Sequence, residues 1–235
     1  MANLANDVYS NISQVLSNGF IAIAGDSHAR EVGCRMRPLL DENNYGGLQL
    51  HQSVGHVGHA RGFVQGGMTA FQFYNSMYYE QLKVCSANIV VIILGGNDLD
   101  SDQPQTPEDV YQKLIKIYQE LTARGKIVFM VESPKRFSVR VSSQDKHDEE
   151  KQNLAYRAYE KRRKRLSYLL VRGFKARFIA LPSNYFKNSS FKKQRGNSYV
   201  HLKAEYYMEL ADLIFKMIEK DFSQVKILPS KINPY

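Results

Sequence analysis

Three residues of this 235-residue chain could take part in acyl-transfer chemistry: a serine, an asparagine and a histidine, each beside a predicted strand or helix. Ser27 closes Gly25-Asp26-Ser27, directly after the apolar run Phe20-Ile21-Ala22-Ile23-Ala24. Asn97 lies in Gly95-Gly96-Asn97-Asp98, directly after Ile89-Val90-Val91-Ile92-Ile93-Leu94. His201 precedes an amphipathic segment that begins at Ala204. A serine hydroxyl is a poor nucleophile at neutral pH unless a base within hydrogen-bond reach takes its proton, and imidazole is the usual base. Each residue alone also has a plainer reading. Ser27 could cap a helix, Gly-Gly-Asn-Asp is good turn chemistry, and His201 could simply start a helix. Asp26 and Asp98 read as structural carboxylates that accept backbone N–H groups within their loops.

The elements that must position these residues alternate along the chain. Strands are predicted at 20–24, 48–54, 88–94, 127–131 and 177–181, and helices at 4–16, from Ser27 to just beyond Pro38, 68–82, from Thr106 to near Gly125, 147–170 and 204–222. Ile89–Leu94 is apolar at every position, the signature of a central parallel strand covered on both faces. Thr106-Pro107-Glu108-Asp109 is a strong helix start, with an N-cap hydroxyl, proline in the first turn and acids beside the positive helix end. Strands alternating with helices imply a parallel sheet between helix layers, with the loops at the strands' carboxyl ends gathered on one edge. Ser27 and Asn97 fall on such loops. We expect one α/β domain over 1–235, its core at about 20–220.

At these positions the chain resembles the SGNH/GDSL hydrolases over roughly 20–220. Gly25-Asp26-Ser27 matches the family's nucleophile block, a loop-two glycine its second block, Gly95-Gly96-Asn97-Asp98 its G-x-N-D block, and His201 the base that opens the last long helix. The resemblance implies a three-layer α/β/α fold with a central, mostly parallel five-stranded sheet. It also implies a serine esterase acting on small acyl or acetyl esters through an acyl-serine, with no metal or organic cofactor. Ser27 would be the nucleophile and His201 the base. The oxyanion donors would be the Ser27 N–H, the N–H of Gly58 or Gly55, and the Asn97 amide. One departure stands out. The family's last block is Asp-x-x-His, whereas this chain has Ser198-Tyr199-Val200-His201. Serine holds the acid's place and Asn197 sits one position off register. The chain therefore either runs on a Ser–His dyad, the reading adopted, or has given up catalysis and serves as a module that binds RNA or single-stranded DNA through its basic C-terminal half.

The remaining signals are weaker. His51, His56 and His59, with His28 on the same edge, have spacings like metal ligands. They lack cysteines or a helical carboxylate to complete a site, so no metal is expected. The net charge is +9, and Lys161-Arg162-Arg163-Lys164-Arg165 is a continuous basic run. On a helix it spans more than one turn, so it reads first as a solvated face. Its alternative is a patch that tracks RNA or single-stranded DNA. Some SGNH-like domains of invertebrate proteins and mobile elements stand beside nucleic-acid-associated segments, and some family members have lost catalysis and bind RNA. Cys34 and Cys85 form no disulfide framework. Met1–Asp7 lacks the basic and apolar regions of a secretory signal, and the longest apolar run is far too short to span a bilayer. The expected setting is cytoplasmic or nuclear.

Overall fold

The computed structural model describes residues 20–43, 49–50, 63–100, 104–136, 148–183 and 201–226. Five parallel strands, β1 (Phe20–Gly25), β2 (Gln49–Leu50), β3 (Ile89–Ile93), β4 (Ile127–Val131) and β5 (Phe178–Ile179), form one sheet in the order β2-β1-β3-β4-β5. The helices are α1 (Ser27–Asn43), α2 (Ala70–Tyr74), α3 (Met77–Val84), α4 (Pro107–Thr122), α5 (Glu149–Phe174) and α6 (Ala204–Lys226). Successive strand side chains point to opposite faces, and the core divides accordingly. Ile21, Ile23, Val91 and Ile93 pack with Val32 and Met36 of α1 and Leu210 and Ile214 of α6. Ala22, Ala24, Val90 and Ile92 pack with Phe73, Leu82, Leu114, Ile117 and Leu170 of α2–α5. This is the three-layer α/β/α arrangement expected from the alternation of elements.

The chain leaves β1 toward β2 on one side and returns to β3 on the other. A crevice therefore opens at the carboxyl ends of β1 and β3, the usual ligand position in open parallel sheets. Gly25 pairs with Ile93 in register there, so Ser27 and Asn97 begin life on adjacent loops. The crossing is tight. Gly25 has φ +140°, and a Cβ on it would lie 2.0 Å from the Ile93 carbonyl oxygen.

Several elements differ from the sequence reading. The helix expected over 68–82 is two helices, because Ser76 ends one and caps the next: its Oγ donates to the Phe73 carbonyl and accepts from Tyr79 N–H. The helix expected over 147–170 runs to Phe174. Helix α1 continues through Pro38 to Asn43, and the strand expected over 177–181 shortens to two residues; of the strand expected over 48–54, the described residues are Gln49–Leu50, in β2. Thr106 caps α4 as expected, accepting from Asp109 N–H, and Gly125 turns the chain toward β4 with φ +77°. The N-terminal helix expected at 4–16 lies outside the described residues.

Gly25→Ala should cost roughly 3 kcal/mol or more, since it places a methyl group against backbone at a φ that side chains avoid. Chemical denaturation checks this; a loss under about 0.5 kcal/mol would contradict the observed crossing.

Candidate active site

The site is assembled where α1 leaves the sheet. Ser27 is the first residue of that helix, so its N–H lies in the first turn, where helical N–H groups have no carbonyl partner within the helix. Asp26, fully buried, organises this turn. Its Oδ1 accepts the His28 backbone N–H at 2.9 Å, and its Oδ2 accepts the Asn97 side-chain amide at 3.0 Å. The opening of the last helix brings His201 across the crevice. Its Nε2 lies 2.8 Å from Ser27 Oγ, although 174 residues separate the two. Ser27 is 8% exposed and His201 partly exposed, so the pair lines an opening in the surface.

Asn97 is held on every polar atom. Nδ2 donates to Asp26 Oδ2 and to the Met68 carbonyl, both at 3.0 Å, while Oδ1 accepts from Arg136 Nη2 at 2.5 Å. Arg136 is buried and also donates Nη1 to Asp100 Oδ2 at 2.8 Å. Asp98 accepts the Ala70 N–H on both oxygens, at 3.0 and 2.9 Å, which fastens the start of α2 to the same loop. The β3 and β4 loops approach so closely that a Cβ on Gly96 would lie 2.6 Å from Ser133 Oγ.

Burial pushes the Asp26 carboxyl up to about 6, against the lowering pull of the Arg136 guanidinium and the His28 and Ala29 amides. Burial pushes the His28 imidazole in the opposite direction, well below the ordinary histidine range, helped by the neighbouring His201 and by Arg136. His28 is therefore neutral at physiological pH.

Gly55, Gly58, Asn197 and Ser198 lie outside the described residues, as do His51, His56 and His59. Among the described residues no cluster of acids, histidines and cysteines is arranged to hold a metal ion. Among the described residues, the glycine placed beside the serine is Gly66: a Cβ on it would lie 3.9 Å from Ser27 Cβ. It follows Val64, which bridges Gly25 in parallel, and Gln65, whose N–H bonds the Gly25 carbonyl. Gly66 and Gly67 form the turn closed by the Met68 N–H on the Gln65 carbonyl. The sequence reading missed Gly66, Arg136 and Tyr207. The signal for Gly66 was present, since Gly66-Gly67 follows an apolar pair and precedes the cap Thr69. Nothing local marks Arg136 or Tyr207, which reach the site only through the fold.

The basic run lies on α5. Arg162 donates to the Leu99 carbonyl at 3.3 and 3.0 Å. Arg163 donates to Glu132 at 3.1 Å and Glu160 at 3.0 Å, and Arg165 pairs with Glu108 at 2.7 Å. Three of the five charges thus tie α5 to the β3 and β4 loops and to α4, leaving Lys161 and Lys164 exposed to solvent.

No family model matches the sequence, and no curated protein matches it. Solved structures do. A GDSL-like lipase from Bacteroides thetaiotaomicron aligns over 93% of this chain and 97% of its own, at 14% identity and a TM-score of 0.54. A carbohydrate acetylesterase from Sinorhizobium meliloti aligns over 86% and 99%, at 15% identity and 0.56. A lipase/acylhydrolase from Enterococcus faecalis aligns over 87% and 96%, at 12% identity and 0.57. The fold of this chain is that of the SGNH/GDSL hydrolases.

A carboxyl whose folded pKa is raised from 3.8 to about 6 favours the folded state while protonated. That contribution is fully present below about pH 4 and is lost as pH rises through about 6, a fall of about 3 kcal/mol. Denaturation of wild type and Asp26→Asn across this range should show a steeper fall in wild type than in the variant, in which the buried Asp98 carboxyl, also raised, still contributes; parallel curves would contradict the assignment.

Proposed function

We propose that the chain is a serine hydrolase of small esters, working through an acyl-serine on a Ser27–His201 dyad. The observation that carries this reading is the 2.8 Å contact between Ser27 Oγ and His201 Nε2, formed at the sheet's ligand edge. His201 Nε2 takes the hydroxyl proton as Oγ attacks the acyl carbon. The imidazolium then gives that proton to the departing alcohol, leaving the acyl group on Ser27. Water, deprotonated by the same nitrogen, attacks the acyl carbon; the acid leaves and the hydroxyl is restored.

The tetrahedral oxyanion needs donors already in place. The Ser27 N–H, at the positive end of α1, and the amides of the Gly66–Gly67 turn beside it are backbone groups that would serve, the turn standing as a candidate beside Gly58 or Gly55. Asn97 contributes as a third donor only by sharing the hydrogen it directs at the Met68 carbonyl, because both amide hydrogens are engaged. The Asn97 amide is therefore a supporting donor and the backbone pair the principal one.

The turn also forms one wall of an open cavity of about 670 Å³ lined by Gln65, Met68, Phe71, Gln72, Asn75 and Ser76. Its walls carry carboxamides and a hydroxyl but no charge and little aliphatic surface. A long acyl chain gains about 0.8 kcal/mol per methylene only where apolar wall receives it, so this cavity suits the polar portion of a short-chain ester. That the solved neighbours include a carbohydrate acetylesterase and lipases supports the hydrolase class.

Ser27→Ala should abolish turnover of short-chain p-nitrophenyl esters and leave Tm within a few degrees, since it removes one hydroxyl and its bond to His201 and keeps the Cβ in place. Turnover equal to wild type would sink the assignment, and a large loss of stability would return Ser27 to the role of a helix-start residue.

A further inference from the structure

We propose that His28 and Tyr207 form a neutral clamp that holds His201 against Ser27. The inference rests on the hydrolase reading for its kinetic consequences and on geometry alone for the clamp itself.

His28 follows Ser27 directly, and its ring Nδ1 lies 2.7 Å from the Tyr207 hydroxyl. Tyr207 belongs to α6, the helix that His201 precedes. The His28 ring also lies against the His201 ring, with centroids 5.3 Å apart and planes tilted by 53°. Together with the contact of Ser27 Oγ and His201 Nε2, these interactions close a ring. It runs from Ser27 along the chain to His28, across to the His201 ring and back to Ser27 Oγ, with Tyr207 fixing His28 from α6. His28 and Tyr207 are both buried, so water does not compete for their bond.

The arrangement is costly unless it does something. Burying an imidazole and a phenol where apolar side chains would fill the same space incurs desolvation, which hydrogen bonds only partly offset. His28 Nε2 is buried without a partner. The bonding also selects the tautomer. A tyrosine hydroxyl has one hydrogen. If that hydrogen goes to His28 Nδ1, the imidazole hydrogen sits on Nε2 and one polar group is left unpaired. The opposite tautomer would leave two unpaired, the Nε2 lone pair and the hydroxyl hydrogen. Neutrality is also what the site requires, because a charged His28 would repel the imidazolium that forms on His201 during attack. The clamp thus orients the base without adding like charge, and it supplies none of the stabilisation a carboxylate would give that cation.

The test combines ester kinetics with ¹⁵N chemical shifts of the histidine rings, for wild type, Tyr207→Phe, His28→Leu and His28→Asn. The clamp predicts that Tyr207→Phe lowers kcat about 10-fold or more with KM nearly unchanged, the pattern of a misplaced catalytic group. His28→Leu should lose at least as much. His28→Asn, whose Oδ1 can accept the Tyr207 hydrogen in place of Nδ1, should recover most of that loss. In wild type, His28 should show the Nε2–H tautomer and not titrate between about pH 5 and 8. Equal kcat in His28→Leu and His28→Asn would reduce the pair to packing and overturn the proposal, as would an Nδ1–H tautomer. If wild type turns over no ester, the hydrolase reading fails while the clamp is still decided. His201 ring signals that move in Tyr207→Phe support it, and signals that stay in place overturn it.

Discussion

The carboxylate of Asp26 is the point from which the site is built. It sits at the end of β1 with no exposure to water, one oxygen fixing the first turn of α1 and the other fixing the Asn97 amide from the neighbouring strand. A buried carboxylate is tolerated only when its oxygens are satisfied and a cation stands near, and Arg136 is that cation. It faces the Asn97 oxygen and is itself neutralised by Asp100. A chain of buried polar groups therefore runs from the β4 loop through Asn97 to the residue before Ser27. Removing any link would leave a charge or an amide stranded in the core, at a cost of several kcal/mol.

That chain explains why the neighbouring surface is so heavily tied down. Arg162 bonds the Leu99 carbonyl in the Asn97 loop, and Arg163 bonds Glu132, whose other oxygen accepts the Leu181 N–H at 3.0 Å. The basic run of α5 is in this respect a brace for the loops beneath it. Its sequence looks like a charge patch because periodicity shows which residues share a helix face but not which partners that face meets.

The parts of the fold legible in the sequence are those fixed by local pattern. β1, β3 and β4 are continuous apolar runs, and the start of α4 is spelled by Thr106-Pro107. The break between α2 and α3 was missed because aromatic residues continue across it and only Ser76 marks the cap. For the site, the short motifs around Ser27 and Asn97, with His201, carried the family resemblance, and the structure sets Ser27 against His201. Arg136 and Tyr207 were illegible because their meaning lies in contacts across 39 and 179 residues of chain. His28 was read with the loop histidines as a metal ligand to be dismissed. Its actual partner, Tyr207, is on the last helix, where only the fold could place it.

The central claim is that the Ser27 hydroxyl is a nucleophile activated by His201, and covalent capture tests it most directly. The protein would be incubated with a small fluorophosphonate, digested and its peptides analysed by mass. The account predicts an adduct on Ser27 of the wild type, formed far more slowly in His201→Ala. An unmodified Ser27, or an adduct carried by another serine instead, would contradict it.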